Sequence, residues 1–180
     1  MTVSLSRALL FAGVALGVSA CGDPKNPPAK FHLEGSLTQV MDLGYDEARI
    51  LKAPEDIALL FVRIKSLGDA TDGGTAGVSE EYPFRVAYRF AGQDAPQGPI
   101  VLDLTALDDS GNQRGVAQRN VTNDPRNVFP EIDIGELKFD KALTDGELVT
   151  GSFHITFVTG VETASGRTCF SKAFTARVQP

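Results

Sequence analysis

The sequence predicts an all-β protein, because short runs of alternating apolar and polar residues recur along it between turns rich in glycine and aspartate. One run places apolar residues at every second position, namely Phe84, Val86, Tyr88 and Phe90. Another repeats this pattern with Val149, Gly151, Phe153, Ile155 and Phe157. Alternation gives a strand one buried and one solvated face, as in antiparallel sheets. We therefore expect an antiparallel β-sandwich of about nine strands, immunoglobulin-like or transthyretin-like in character.

The strands are expected at 31–41, 45–52, 56–66, 82–90, 98–108, 114–121, 129–140, 146–158 and 167–178. The 45–53 segment could also form a short helix, but Pro54 limits its length and we predict a strand. Residues 57–64 are apolar on both faces, which predicts a central strand. Glycine, asparagine and aspartate supply turns at 69–77, 109–112, 144–146 and 165–166.

A β-bulge is predicted near Gly135, because the parity of the apolar positions changes there. Ile132 and Ile134 lie on one side before the glycine, whereas Leu137 and Phe139 follow the opposite parity after it. One extra residue in a strand produces such a change.

Composition restricts the class of protein. The 180-residue chain has a net charge of −6 and contains eleven phenylalanines. Nucleic-acid-binding domains usually carry a basic stripe, so this acidic balance argues against a nucleic-acid partner. The abundant aromatic and branched residues are enough for one hydrophobic core in a single domain.

The amino terminus has the features of an export signal. Arg7 provides a positive charge, residues 8–18 are apolar, and Ser19 and Ala20 are small residues before Cys21. The apolar stretch is shorter than the roughly 20 residues of a membrane-spanning helix. This arrangement resembles the lipobox of bacterial lipoproteins. We divide the chain into a signal peptide at 1–20, a lipidated proline-rich tether at 21–30 and a β domain at 31–180.

The lipobox resemblance implies that the Cys21 thiol receives a diacylglycerol and becomes the first mature residue. Two or more acyl chains hold a protein firmly on a bilayer. Gly22 follows the cysteine and Asp23 comes one place later. In enterobacterial sorting this order implies the outer membrane, on its periplasmic or cell-surface face. Ordinary cleavage after Ala20 is the alternative.

Cys169 is the second of two cysteines in the chain. If Cys21 is lipidated, Cys169 has no partner for a disulfide within the chain. If the lipobox interpretation is wrong, a Cys21–Cys169 disulfide becomes possible. We expect Cys169 to be a partly buried strand residue rather than a reactive thiol.

We expect no catalytic residues, no metal ligands and no cofactor. The chain has two histidines, His32 and His154, and no GxSxG motif. His154 and Ser152 fall on the polar side of a predicted strand. A zinc site needs three or four suitable ligands, and the histidines and cysteines of this chain are too few to provide them. Residues 107–112 could hold calcium, but the segment also fits a hairpin turn, which we favour.

The long connection at 66–81 is the candidate recognition loop, because long loops in compact domains are often functional. Its candidate residues are Asp69, Asp72, Gly73, Gly74 and Gly77. A second irregular stretch at 120–127 could share one end of the fold. We expect a non-catalytic envelope lipoprotein that binds another envelope protein.

Two other classes remain open: a carbohydrate- or ion-binding module, and an envelope hydrolase. Exposed aromatic residues in a groove would favour a glycan, whereas an open apolar edge would favour a protein. The aromatic residues nearest to turns are Tyr45, Tyr82 and Phe129.

Overall fold

The computed structural model describes Gly35, Leu37 and residues 41–66, 77–90, 98–124, 129–158 and 168–180. This part of the chain forms eight strands and no α-helix. The strands are β1 (Glu47–Lys52), β2 (Asp56–Ser66), β3 (Val78–Arg89), β4 (Ile100–Asp103), β5 (Gly115–Asn120), β6 (Ile132–Phe139), β7 (Leu148–Phe157) and β8 (Thr168–Gln179). They form one sheet in the order β4-β6-β7-β8-β1-β2-β3-β5. This sheet curls until it is nearly closed into a barrel.

The predicted all-β class is confirmed, but the predicted antiparallel sandwich of nine strands is wrong. The sheet is mixed, because β1 pairs with β8 in parallel while the other pairs are antiparallel. Alternation reports that each strand has one buried face, and a sandwich and a barrel share that property. The strand predicted at 31–41 lies mostly outside the described residues. The segment at 45–53 forms a strand, as predicted.

Leu104 brings the two edges of the sheet together. Its backbone N–H donates to the carbonyl of Gly135 in β6 at 2.9 Å, and its carbonyl accepts from the N–H of Gly115 in β5 at 3.0 Å. A Cβ atom at Gly115 would lie 2.4 Å from the Leu104 oxygen. A Cβ atom at Gly135 would lie 2.8 Å from the Leu104 Cβ. Both glycines are therefore needed for the close approach that closes the sheet.

The core fills the barrel interior with the predicted apolar sides of the strands. Phe153, Ile155 and Phe157 of β7 are buried, as are Phe170 and Phe174 of β8. The ring centroid of Phe84 lies 4.9 Å from that of Phe170 and 5.8 Å from that of Phe153. The predicted parity of these three strands is confirmed.

Strand β2 lies among the central strands of the sheet and is apolar on both faces, as predicted. Ile57, Leu59 and Phe61 belong to the interior core. Ala58, Leu60 and Val62 form a second buried cluster with Ala87 of β3, and Tyr82 packs against it. Because successive strand residues point to opposite faces, this second cluster lies on the outside of the sheet.

Two bulges adjust the register of the sheet. The first lies between Ile132 and Ile134, close to the position predicted near Gly135. It leaves Ile134 49% exposed, so the expectation that this residue shares the buried side of Ile132 is wrong. The second lies in β3 around Pro83, and it sets Glu81 opposite Arg63 of β2.

Candidate functional site

Strand directions place the ends of three strands and the start of β1 at the same end of the barrel, which we call the loop end. The chain runs into β1 at this end, and β2, β5 and β7 finish there. The described residues at the loop end are 41–46 and those beside the strand ends at 66, 77–78, 120–124, 129–132, 157–158 and 168. The long loop predicted at 66–81 is shorter than expected, because residues 78–81 belong to β3.

The candidate recognition residues are only partly placed. Asp69, Asp72, Gly73 and Gly74 lie outside the described residues, whereas Gly77 is exposed directly before β3. In the second irregular segment, residues 120–124 are described and 125–127 lie outside. The two segments are joined by side chains that the sequence analysis did not select.

Glu81 is the most deeply buried acid at the loop end, with 2% of its surface exposed. Its Oε1 atom accepts from Lys65 Nζ at 2.7 Å and from the backbone N–H of Thr122 at 3.0 Å. Its Oε2 atom lies 3.7 Å from Nη1 of Arg63. The hydrogen bond from Lys65 and that from Thr122 hold the pKa of Glu81 below its ordinary value, against the effect of burial. This carboxylate therefore links β2 and β3 to the 120–124 segment.

Arg63 links the same site to the residues that lead into β1. Its Nε donates to the Gly44 carbonyl at 2.7 Å, and its Nη2 lies 2.9 Å from the Asp42 carboxylate. The backbone N–H of Gly44, together with Arg63, lowers the pKa of Asp42. A further carboxylate, that of Asp46, accepts from the backbone N–H of Ile64 at 2.7 Å.

Arg119 of β5 completes this cluster of charges. Its side chain is 1% exposed, and Nη2 donates to the Asp42 carbonyl at 3.1 Å and to Asp124 Oδ2 at 3.0 Å. Its Nε and Nη1 atoms are buried without a hydrogen-bond acceptor. A buried guanidinium is costly unless it is paired, so Arg119 depends on Asp124 and on the 41–46 segment remaining in place.

This loop-end cluster, defined by Asp42, Arg63, Lys65, Glu81, Arg119 and Asp124, was not predicted. Arg119 occupies an inward position between Ala117 and Val121, and a charged residue at an apolar position is the signal that could have found it. The charges pair with one another across four chain segments. This arrangement of paired charges can hold the chain segments at the loop end in position.

The other candidates from the sequence lie elsewhere. His154 and Ser152 are half-buried on the polar side of β7, and His154 Nε2 lies 3.3 Å from Thr156 Oγ1. The segment at 108–112 forms the predicted turn: Asp108 Oδ1 accepts from the N–H groups of Ser110 and Asn112 at 2.8 and 2.9 Å. Within the described ranges, no group of three or more His, Cys, Asp or Glu residues is placed to hold a metal ion.

Cys169 is a half-buried residue of β8, as predicted, and it is disulfide-bonded. The other cysteine of the chain, Cys21, lies outside the described residues. The expectation that Cys169 lacks a disulfide therefore disagrees with its bonded state.

The aromatic residues near turns are mostly packed. Phe129 is buried, and the Tyr45 ring meets that of Phe61 edge-on at 5.1 Å. Tyr82 is half-buried on the outer face, where its hydroxyl lies 3.3 Å from Glu80. Of these three rings, Tyr82 alone remains available to a ligand on the outer surface.

None of the residues that the structure describes form a helix long and apolar enough to cross a membrane. Comparison with protein-family models, with curated proteins and with solved structures gives no match for this chain.

Proposed function

We propose that this chain is a lipid-anchored protein of the bacterial envelope, whose non-catalytic β domain binds another envelope protein through its loop end. The observation that carries the proposal is that β2, β5 and β7 end, and β1 begins, at one end of the barrel. Glu81 and Arg119 hold these segments together with buried charges. Loops fixed on a rigid scaffold are a common recognition surface.

The anchor part of the proposal rests on the lipobox-like sequence before Cys21. Acylation of this thiol would supply the membrane attachment, and Gly22 and Asp23 favour the outer membrane. A sulfur that carries a diacylglyceryl group cannot also form a disulfide. The disulfide of Cys169 therefore defines the competing hypothesis, an exported domain that is cleaved and bridged rather than lipidated.

Substitution of Cys21 by serine tests the anchor. We expect Cys21→Ser to release the domain from membranes, or to leave an unprocessed precursor, because acyl burial is the strong membrane interaction that we propose. The matched control is Cys169→Ser, which should stay membrane-bound after a high-salt wash. Processed Cys21→Ser that remains on membranes contradicts the proposal. A mature protein whose mass shows no lipid, and whose two cysteines react with an alkylating reagent only after reduction, also contradicts the proposal.

Shortening the 69–77 segment to a tight turn tests the recognition surface. The free energy of loop closure varies slowly with length, so the domain should still fold. We expect the set of partners crosslinked in intact cells to be lost at matched abundance. An equivalent change in the 140–147 connection at the opposite end is the control and should keep the partners. An unchanged partner set in the shortened variant contradicts a recognition role for this loop.

A glycan-binding function is the second candidate, and Tyr82 is the observation that favours it. This ring borders a depression of about 550 Å³ with Arg85, Gln118 and Asn120. Because Tyr45 and Phe129 pack against other aromatic rings, a sugar would have one aromatic platform there. An oligosaccharide that binds the wild type but not Tyr82→Ala would support this candidate.

A further inference from the structure

The outer face where β3 pairs with β5 carries a groove that the loop end does not include. Outward-facing residues of the two strands line it, and a depression of about 290 Å³ lies between them. We call this surface the basic groove; it is defined by Arg85, Ala87, Arg89, Arg114, Val116 and Gln118. It shares Arg85 and Gln118 with the larger depression beside Tyr82.

The groove concentrates positive charge on a protein whose net charge is −6. Arg49, Arg63 and Arg119 each form an ion pair with a carboxylate. In contrast, Arg85 donates to the amide oxygen of Gln118 at 2.6 Å, and no described carboxylate lies within ion-pair distance of it. Asp56 is the acidic residue among those that line the groove.

Arg114 is fixed before any ligand arrives. Its Nη1 donates to the Phe90 carbonyl at 2.7 Å, and its Nε donates to the Leu107 carbonyl at 3.1 Å. Both acceptors are neutral, and the Asp108 carboxylate also interacts electrostatically with this guanidinium. A held arginine loses less side-chain freedom on binding a carboxylate than a mobile one does.

The spacing of the groove residues matches an extended polypeptide. Arg85 and Arg89 stand four residues apart on β3, a separation of about 13 Å along a strand. Between them lie the small side chains of Ala87 and Val116, which leave room for a backbone. An extended segment with acidic residues four positions apart presents carboxylates at this same interval, and a segment that alternates acidic and other residues contains such pairs. Guanidinium groups bind carboxylates through paired, charge-assisted hydrogen bonds.

We propose that the basic groove binds an extended acidic segment of a partner protein, lying along β3 and β5. The inference goes beyond the proposed function, because the groove lies outside the loop end, and it rests on that function only in taking the partner to be a protein. A polyphosphate chain fits less well, because it has no apolar groups to place against Ala87 and Val116. Ala87 and Val116 form an apolar floor that suits a polypeptide, because alternate side chains of an extended segment can face them.

The test uses the full-length chain in detergent and a fluorescent heptapeptide that alternates glutamate and threonine. We expect fluorescence anisotropy to show binding that weakens as salt increases. The double variant Arg85→Gln, Arg89→Gln should weaken binding by about tenfold or more, since each lost contact is charge-assisted. The control combines Lys138→Gln with Arg177→Gln, which removes the same charge from exposed positions on β6 and β8. It should leave binding within about twofold, as expected for screened charges.

Several results would overturn this inference. The first is equal binding of the peptide by the double variant and by the control. The second is equal binding of a peptide that has glutamine in place of glutamate. The third is arginine-dependent binding of a uronic-acid oligosaccharide or of phosphatidylglycerol vesicles instead of the peptide. Arginine-dependent self-association without peptide binding would assign the groove to a second copy. The proposed function fails separately, through Cys21→Ser or the shortened 69–77 loop, since neither variant alters the groove.

Discussion

The two ends of the barrel are organised by different forces. At the loop end, buried ionic side chains from distant parts of the sequence hold the connections, as Glu81 does for Lys65 and Thr122. The opposite end, which we call the turn end, comprises the connections 53–55 and 140–147. Backbone hydrogen bonds and exposed ion pairs hold it: Ala53 donates to the Asp56 carbonyl at 2.9 Å, Gly146 donates to the Val178 carbonyl at 2.9 Å, and Lys52 Nζ lies 3.2 Å from Asp145.

The two ends therefore differ in how far their stability depends on residues from other parts of the fold. A backbone turn needs few residues and tolerates changes elsewhere. A buried charge needs all of its partners at once, because a single loss leaves an ion without compensation. We therefore expect the loop end to unfold locally before the turn end as temperature or denaturant concentration rises.

The largest expected effect is on the core that both ends share. Phe153→Ala removes a ring that contacts Phe61 and Phe84, and should lower the free energy of unfolding by about 3–5 kcal/mol. His154→Ala, on the opposite side of the same strand, should change it little. Urea unfolding of both variants measures this. Equal losses at the two positions would contradict the assigned faces of β7.

The next largest effect is confined to the loop end. Glu81→Gln replaces the charged acceptor of the Lys65 hydrogen bond with a neutral amide oxygen, and should cost roughly 1.5–3 kcal/mol. Hydrogen exchange should accelerate at the Thr122 amide while the Gly146 amide keeps its protection. Glu80→Gln is the matched control, because its ion pair with Arg49 is more exposed and should contribute less than about 1 kcal/mol. Uniform acceleration at both ends would show that they unfold as one unit.

Acid should remove the contribution of Glu81 gradually. The pKa of this carboxyl is lowered in the folded protein, chiefly by the hydrogen bond from Lys65. A lowered folded pKa gives stability that is present above the unfolded value, about 4.3, and is lost as pH falls through the folded value. The difference in unfolding free energy between wild type and Glu81→Gln should thus be constant at neutral pH and shrink below about pH 4. A difference that grows on acidification would reverse the assigned sign.

The smallest expected effect is at the turn end. Gly146 has φ of 80° and open space around its Cβ position, so Gly146→Ala should cost about 1 kcal/mol through backbone conformation alone. Asparagine tolerates this conformation better, and Gly146→Asn should therefore cost less than Gly146→Ala. Thermal melting of the two variants provides the comparison. A greater loss with asparagine would point to a contact rather than to backbone strain.

Alternation of apolar residues was enough to place eight of the strands, because each strand has one side in the barrel. It predicted the inward side of β7 and the glycine turn at Gly146. It did not predict closure of the sheet, which depends on Leu104 meeting Gly115 and Gly135 from separate parts of the chain. Local patterns carry no information about which edges meet.

The candidate sites show the same division. The two irregular segments chosen from the sequence border strand ends at the loop end. The directions of the strands in the sheet decide at which end of the barrel a connection begins. Arg119 was missed, although a charged residue at an apolar position of β5 was a signal. The basic groove was missed because it depends on the pairing of β3 with β5, two strands that are not consecutive. Arg85 and Arg89 were correctly assigned to the solvent side, but their neighbours on β5 could not be known.

The position of β8 has a consequence for biosynthesis. This final strand of 12 residues stands between β1 and β7 in the sheet and joins the two halves of the barrel. While the chain is being made, β1 through β7 can form hairpins but lack the strand that connects them. Long-range pairing of this kind delays folding until the partner is available. The nascent chain should therefore stay open until β8 emerges, and truncation before Thr168 should leave two halves that meet at Leu104 but lack the strand between β1 and β7.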